Sequence, residues 1–115
     1  MTGPRLRIGR AGEALAAEWY QARGYEVLAR NWRCAQGELD LVVARGNVVV
    51  FSEVKARTSD RFGTPAEAVT AVKQARIRRL AARWMADAAR RRPRAVRFDV
   101  AAVHNGEVDV IEGAF

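Results

Sequence analysis

The chain has few of the residues that bridge extracellular domains or bind zinc. Its 115 residues include one cysteine, Cys34, and one histidine, His104. A single cysteine allows no intramolecular disulfide and is typical of a reducing compartment, so we expect a cytoplasmic protein. One thiol and one imidazole also exclude a structural zinc cluster built from Cys and His ligands.

Long apolar runs are absent as well. No stretch approaches the roughly 20 apolar residues that cross a bilayer, and Met1–Arg10 is charged without the apolar segment of a signal peptide. We therefore expect no membrane partner. Half of the residues are hydrophobic, which argues against general disorder and is enough for one core. The sequence predicts a single domain over residues 1–115, with a basic tail at about residues 1–7.

Lysine is scarce although the chain is strongly basic. Lys55 and Lys73 are the two lysines among 20 basic residues, and the formal net charge is +7. The other basic residues are arginines, whose planar fork fits phosphate oxygens. This balance favours a polyanionic partner, and we expect a nucleic acid, DNA in particular. An arginine-rich genomic composition is the alternative explanation for any single exposed arginine.

A hairpin is the strongest structural signal in the chain. Two apolar strands flank Gly46-Asn47, a pair typical of a two-residue hairpin loop. A loop of that length places Asp40 opposite Glu53, and Glu38 opposite Lys55. Directly opposed residues have Cβ atoms about 4.5–5.5 Å apart, and all four side chains would project from one face. We therefore expect a charged cluster at one end of the hairpin.

Both faces of this hairpin are apolar below the charged cluster. Alternation assigns one face to Leu39, Leu41, Val43, Val48, Val50 and Val54. It assigns the other face, which carries the charged cluster, to Val42, Ala44, Val49 and Phe51. Strands that are apolar on both sides are covered on both sides, so we expect central strands with a cleft at their charged end.

The charged cluster suggests phosphodiester chemistry. Opposed carboxylates repel each other on a buried sheet, so a cation should sit beside them, either Lys55 or a divalent metal ion. We predict that Asp40 and Glu53 bind Mg²⁺ or Mn²⁺, and that Lys55 orients a water molecule or stabilises charge on phosphoryl oxygens. Glu38 would orient Lys55 or simply pair with it.

Two helices are predicted around this hairpin. The first runs from about Gly9 to Arg23, and Glu13 in its early turns either complements the positive helix end or reaches the carboxylates. The residues alone favour the first interpretation of Glu13. The second helix starts at the capping box Thr64-Pro65-Ala66-Glu67 and runs to about Arg91. Its apolar side comprises Val69, Val72, Ile77, Leu80, Ala81, Trp84, Met85 and Ala88.

The remaining segments complete an α/β pattern. Strands are predicted at Tyr25–Trp32, Val96–Val103 and Glu107–Ile111. A strand, a long helix and a further strand favour a crossover within one sheet. The sum is a single α/β domain with a mixed sheet of about five strands and a helix on each face. We expect Asp99 to make a local polar contact and His104 to belong to a turn.

Several motifs together resemble a known family. They are Gly9-Arg10-Ala11-Gly12-Glu13, Gly24-Tyr25, Arg30-Asn31-Trp32-Arg33, Gly37-Glu38-Leu39-Asp40-Leu41-Val42, Val50-Phe51-Ser52-Glu53-Val54-Lys55-Ala56-Arg57 and Arg97-Phe98-Asp99-Val100. In order and spacing they resemble the uncharacterised bacterial YraN family, also called UPF0102. That family is similar to the restriction-endonuclease-like PD-(D/E)XK superfamily, especially to archaeal Holliday junction resolvases.

The resemblance implies roles for particular residues. Glu13, Asp40, Glu53 and Lys55 fall on the catalytic positions of the superfamily, so Glu13 joins Asp40 and Glu53 as an expected ligand of Mg²⁺ or Mn²⁺. Lys73 or Gln74 would be a polar helix residue near the site. Leu39 stands where the superfamily name implies proline. Together with the basic composition, the expected nucleic-acid contacts are Arg57, Arg61, Lys73, Arg76, Arg79 and Arg83.

The leading interpretation is a metal-dependent DNA endonuclease with a restriction-endonuclease-like domain. The resemblance implies a structure-specific enzyme of repair or recombination, and a homodimer, because resolvase-like enzymes usually act as dimers. Two alternatives stay open. One is a nucleic-acid-binding module with the same fold and no turnover. The other is a protein-interaction domain whose charged cluster is a buried network of ion pairs.

Overall fold

One sheet organises the computed structural model, which describes residues 4–56, 69–87 and 93–115. The elements in chain order are α1 (Pro4–Ala22), β1 (Glu26–Cys34), β2 (Gly37–Arg45), β3 (Val48–Ala56), α2 (Ala71–Asp87), β4 (Ala95–His104) and β5 (Glu107–Ile111). The five strands lie side by side in that order. β3 and β4 are parallel, and the other neighbouring pairs are antiparallel. The predicted single α/β domain with a mixed five-stranded sheet is confirmed.

The central hairpin is formed by β2 and β3. Gly46 takes a left-handed φ of 60°, as the first position of such a loop requires, and Arg45 pairs with Val48. The predicted register holds from that pair to Leu41 opposite Ser52. Beyond Leu41 the pairing of β2 with β3 ends.

The predicted backbone pairs Asp40–Glu53 and Glu38–Lys55 are therefore wrong. The backbone N–H of Val54 donates instead to Oδ2 of Asp40 at 2.9 Å. The aspartate side chain takes the hydrogen that a carbonyl of β2 would accept in a continued ladder. The two strands consequently stop pairing where the charged residues begin.

Two apolar layers cover the sheet, one under each helix. The layer under α1 contains Ala16, Ala17, Tyr20, Tyr25, Leu41, Val43, Val50 and Ala101. The layer under α2 contains Leu39, Val42, Val49, Phe51, Val69, Ile77, Leu80, Ala81, Trp84, Phe98 and Val100. The prediction that both faces of the hairpin are covered is confirmed.

One residue lies on the opposite face from its predicted position. Leu39 packs in the layer under α2, whereas Leu41 packs in the layer under α1. In a regular strand, residues two positions apart share a face. The alternation of β2 therefore breaks between Leu39 and Leu41, which is where Asp40 turns its carboxylate to the backbone of β3.

Both helix starts differ from the predicted ones. α1 begins at Pro4 rather than at Gly9, so residues 4–7, predicted as part of a basic tail, have helical backbone. Proline fits the first helical position because it needs no amide hydrogen there. Gly24, with φ 86°, follows the end of α1 as the sequence predicted.

α2 begins at Ala71 and is capped by Thr70. The Oγ1 of Thr70 accepts a hydrogen bond from the backbone N–H of Lys73 at 3.2 Å. A helix that runs without interruption from Thr64 is therefore wrong, because residues 69 and 70 are not helical. The predicted capping box at residues 64–67 and the predicted end at Arg91 lie outside the described residues.

The buried side of α2 is narrower than predicted. Ile77, Leu80, Ala81 and Trp84 are buried, but Val72 is 71% exposed. Val72 precedes Ile77 by five positions, which turns it well away from the buried side at 3.6 residues per helical turn. Lys73 precedes Ile77 by four positions, so its side chain lies on the side that faces the sheet.

Candidate active site

Acidic side chains from α1 and β2 converge at the end of the sheet where β2 begins. Glu13 of α1, and Glu38 and Asp40 of β2, each place one carboxylate oxygen within 4.8 Å of the others. Glu38 and Asp40 are two positions apart on one strand, and both place a carboxylate oxygen near that of Glu13 on α1. Carboxylate oxygens at such spacing are a suitable donor set for a hard divalent cation.

Asp40 lies at the centre of this site. Burial raises the pKa of Asp40 to about 7, and the neighbouring Glu53 and Glu13 carboxylates act in the same direction. The N–H of Val54 opposes this shift because it donates to the carboxylate and favours the charged form. Burial and the neighbouring carboxylates therefore both disfavour the charged form of Asp40, and a cation bound between the carboxylates would relieve the repulsion.

Glu53 is held by two lysines on the α2 side of the sheet. Its Oε1 lies 2.6 Å from Nζ of Lys73 and 3.8 Å from Nζ of Lys55. The Glu53 side chain is 10% exposed, so these ion pairs are largely shielded from solvent. Glu53 therefore has a close ammonium counter-charge.

The two lysines have opposite pKa shifts. Burial lowers the pKa of Lys55, and the adjacent Lys73 lowers it further. Burial also lowers the pKa of Lys73, but hydrogen bonds with Glu53 and Lys55 raise it by more, so its net shift is upward. Lys73 is thus the lysine that binds its proton more firmly and neutralises Glu53.

The structure brings Glu13, Asp40, Glu53 and Lys55 together at one end of the sheet. The charges of Glu13 and Glu53 both raise the pKa of Asp40, and Lys55 lies beside Glu53. The predicted pairing of Glu38 with Lys55 is not found among the described residues. Glu38 pairs with Arg33 on β1, whose Nε lies 3.3 Å from its Oε2.

The predicted nucleic-acid contacts are placed unevenly. Lys73 contacts Glu53 at the site. Arg76 and Arg79 are exposed on α2. Arg83 is exposed too and donates to Gln36 at 2.8 Å and to Asp87 at 3.2 Å. Arg57 and Arg61 lie outside the described residues.

One role in the site was not anticipated from the sequence, and one prediction that left two residues open is narrowed to a single residue. Glu38 offers an oxygen to the same donor set as Glu13 and Asp40, a role for which its spacing of two from Asp40 was the available signal. Of the two helix candidates, Lys73 is at the site, whereas the side chain of Gln74 donates to the carbonyl of Val69 at 3.0 Å. The spacing of four between Lys73 and Ile77 could have favoured Lys73.

A second buried polar cluster lies apart from these carboxylates. Asp99 is fully buried and accepts hydrogen bonds from the hydroxyl of Tyr20 at 2.7 Å and from Nε of Arg97 at 2.8 Å. The backbone N–H of Gly113 also donates to Asp99, at 3.0 Å. The predicted local polar contact of Asp99 is confirmed, and it ties α1, β4 and the segment after β5 together.

Within residues 4–56, 69–87 and 93–115, no helix combines the length and the apolar character needed to cross a bilayer.

Fold and site together define a small α/β domain that gathers carboxylates and lysines at one end of a mixed sheet. Residues 12–103 match the Uncharacterised protein family UPF0102. A UPF0102 protein of Beutenbergia cavernae is 56% identical over 96 residues, which cover 84% of this chain and 80% of that protein. One of Mycolicibacterium vanbaalenii is 52% identical over 117 residues, covering 97% and 93%. The chain therefore belongs to the UPF0102 family, as its motifs predicted.

Proposed function

We propose that this protein is a metal-dependent nuclease that hydrolyses phosphodiester bonds in DNA. The observation that supports this most directly is the convergence of Glu13, Glu38 and Asp40, whose carboxylate oxygens lie within 4.8 Å of one another. Glu53 and Lys55 adjoin the same cluster. Half-buried carboxylates held this close repel each other without a cation between them, and Mg²⁺ and Mn²⁺ prefer oxygen ligands.

In this proposal Glu13, Asp40 and Glu53 hold the metal ion, and Glu38 is near enough to contribute a further oxygen. A bound divalent cation would polarise the scissile phosphate and make a water molecule more acidic. The hydrogen bond from Val54 to Asp40 fixes the orientation of the carboxylate before any ligand arrives. Preorganisation of this kind lowers the cost of binding.

Lys55 serves the phosphate rather than the metal. Its side chain is 28% exposed and lies beside Glu53, so Nζ reaches both the carboxylate cluster and the solvent-facing side. An ammonium there can donate to a phosphoryl oxygen as negative charge develops on it. The downward shift in the pKa of Lys55 also makes its proton easier to exchange than that of an ordinary lysine.

The basic surface supports a nucleic-acid substrate. The net charge is +7, and α2 exposes Arg76 and Arg79 beyond Lys73. Arg76 lies beside the start of β2, since a Cβ added at Gly37 would be 3.8 Å from its Cδ. Arginines along a helix that leads away from a phosphate site are suited to successive backbone phosphates. The resemblance to PD-(D/E)XK resolvases adds support for a structure-specific DNA substrate.

A cleavage screen tests the proposal. Purified protein is incubated with linear duplex, single strands, hairpins, flaps and four-way junctions, in Mg²⁺, in Mn²⁺ and in EDTA. We expect metal-dependent cleavage of at least one substrate. Asp40→Asn should reduce the rate by about 100-fold or more, a typical loss for a preorganised electrostatic group.

Glu26→Gln is the matched control for that substitution. It removes one exposed carboxylate at the start of β1, which pairs with Ala44 near the β2–β3 turn at the other end of the sheet, and it should leave the rate unchanged. Absence of cleavage on every substrate, or an Asp40→Asn variant as active as the parent, would count against a nuclease. Salt-sensitive binding of DNA without turnover would favour the non-catalytic binding module instead.

A further inference from the structure

We infer that Lys73 is an exchangeable counter-cation of Glu53, which a divalent metal ion must displace before Glu53 can act as a metal ligand. This inference rests on the proposed function and assigns Lys73 a role in controlling metal affinity. It starts from the closest ion pair of the site, which joins Nζ of Lys73 to Oε1 of Glu53 at 2.6 Å. Lys55 lies farther from the same oxygen, at 3.8 Å.

The carboxylates of the site divide into two groups. Oxygens of Glu13, Glu38 and Asp40 lie within 4.8 Å of one another and form a donor set without Glu53. Glu53 is close enough to Asp40 to raise the pKa of Asp40, yet one of its oxygens is already bound by Lys73. An ammonium and a divalent cation repel each other at such distances, so Lys73 bound to Glu53 weakens the binding of a metal ion by the same carboxylate.

The backbone around Lys73 is fixed, whereas its side chain can leave. Thr70 caps the first turn of α2 by accepting the hydrogen bond from the N–H of Lys73. Gln74 secures the same turn through the carbonyl of Val69. The Lys73 side chain is nevertheless 35% exposed, and lysine has a long flexible stem. Nζ can therefore rotate from Glu53 into solvent without any change in the helix.

Once displaced from Glu53 by a metal ion, Lys73 could contact a phosphate group instead. Arg76 follows Lys73 by three positions on α2 and is exposed beside the start of β2. Residues three apart on a helix are neighbours, so a displaced Lys73 would join Arg76 in facing a bound phosphate. Metal binding and phosphate binding would then reinforce each other, since each releases Lys73 from Glu53.

Calorimetric titration of Mn²⁺ into the metal-stripped protein, without nucleic acid, tests the inference. Lys73→Gln removes the competing ammonium and should tighten Mn²⁺ binding about five- to tenfold, the effect of removing one repulsive charge at close range. Lys73→Arg keeps a cation beside Glu53 and should bind Mn²⁺ like the parent protein. Arg94→Gln removes the same charge at the other end of the sheet, next to the β2–β3 turn, and should change the affinity by less than about twofold.

Thermal unfolding in EDTA provides a second readout. Lys73→Gln should melt at a lower temperature than the parent, because Glu53 loses its ion pair, and saturating Mn²⁺ should restore more stability to this variant than to the parent. If the parent protein binds Mn²⁺ too weakly for its affinity to be measured and the Lys73→Gln variant binds Mn²⁺ measurably, that result would also support the displacement of Lys73 by the metal ion.

Two results would overturn the inference and are distinguishable. If the parent binds Mn²⁺ and Lys73→Gln binds it equally or more weakly, the exchange is wrong while the metal site stands. If neither protein binds Mn²⁺, the metal-dependent function fails as well. An equal gain in Mn²⁺ affinity for Arg94→Gln would mean that net charge, rather than the ion pair between Lys73 and Glu53, determines the affinity, and Lys73 would have no specific role.

Discussion

Asp40 shows how one side chain can both end a strand pairing and form a site. Its carboxylate accepts a hydrogen bond from the N–H of Val54. The pairing of β2 with β3, followed away from the hairpin loop, ends at Leu41, the residue next to Asp40. Sequence periodicity predicted that Asp40 and Glu53 would be close, and they are. It could not predict the break, because a period of two assumes that backbone hydrogen bonds, rather than side chains, satisfy each strand.

The titration of Asp40 should be visible in stability. Its pKa in the folded, metal-free protein is raised to about 7, so the folded state holds a proton that the unfolded state releases near pH 4. The free energy of unfolding should therefore fall as pH rises from about 4 to about 7. Asp40→Asn should remove most of this decrease and be more stable than the parent at pH 8.

Urea unfolding in EDTA at pH 5 and pH 8 measures this difference. Asp109→Asn, an exposed aspartate on β5, is the matched control and should follow the parent at both pH values. If the parent and Asp40→Asn instead change in stability by the same amount over this interval, Asp40 ionises without penalty in the folded state.

At the scale of elements, strands were predicted more accurately than helix ends. The Gly46-Asn47 loop, the hairpin register up to Leu41 and β5 follow from short local signals, and the structure has them as predicted. The start of α2 does not follow from local signals. Thr64 and Thr70 are both suitable capping residues, and the local sequence does not determine which of them caps the helix. The packing of Ile77 and Leu80 onto the sheet defines which turn of the helix meets the core.

The Thr70 cap connects helix stability to the site. Thr70→Ala should destabilise the protein by about 1 kcal/mol, because the backbone N–H of Lys73 loses its acceptor. Thr70→Ser, which keeps the hydroxyl, should recover most of that stability. Chemical denaturation measures both variants. Equal stability of Thr70→Ala and the parent would mean that α2 is capped elsewhere in solution.

At the scale of the whole molecule, the site combines residues from three separate regions of the chain. Glu13 comes from α1, Asp40 and Glu53 from the hairpin, and Lys73 from α2. Residue types and family motifs identified Glu13 and both hairpin acids, but the contact between Lys73 and Glu53 depends on how the segment between β3 and α2 returns to the sheet. No periodicity spans that connection, so the sequence could indicate that Lys73 faces the sheet but not that it meets Glu53.

The proposed binding of DNA should depend on the positive charge of α2. Arg76 and Arg79 are exposed on the helix that starts at the site, whereas Arg94 is exposed at the other end of the sheet, next to the β2–β3 turn. Fluorescence anisotropy with a labelled four-way junction, in the Asp40→Asn background to prevent cleavage, should show affinity that falls steeply with salt. Arg76→Gln and Arg79→Gln should each weaken binding and lower the salt slope by about 1 for each phosphate that the variant no longer neutralises. Arg94→Gln changes net charge equally, so an equally weakened Arg94→Gln variant would mean that total charge, rather than the α2 surface, holds the nucleic acid.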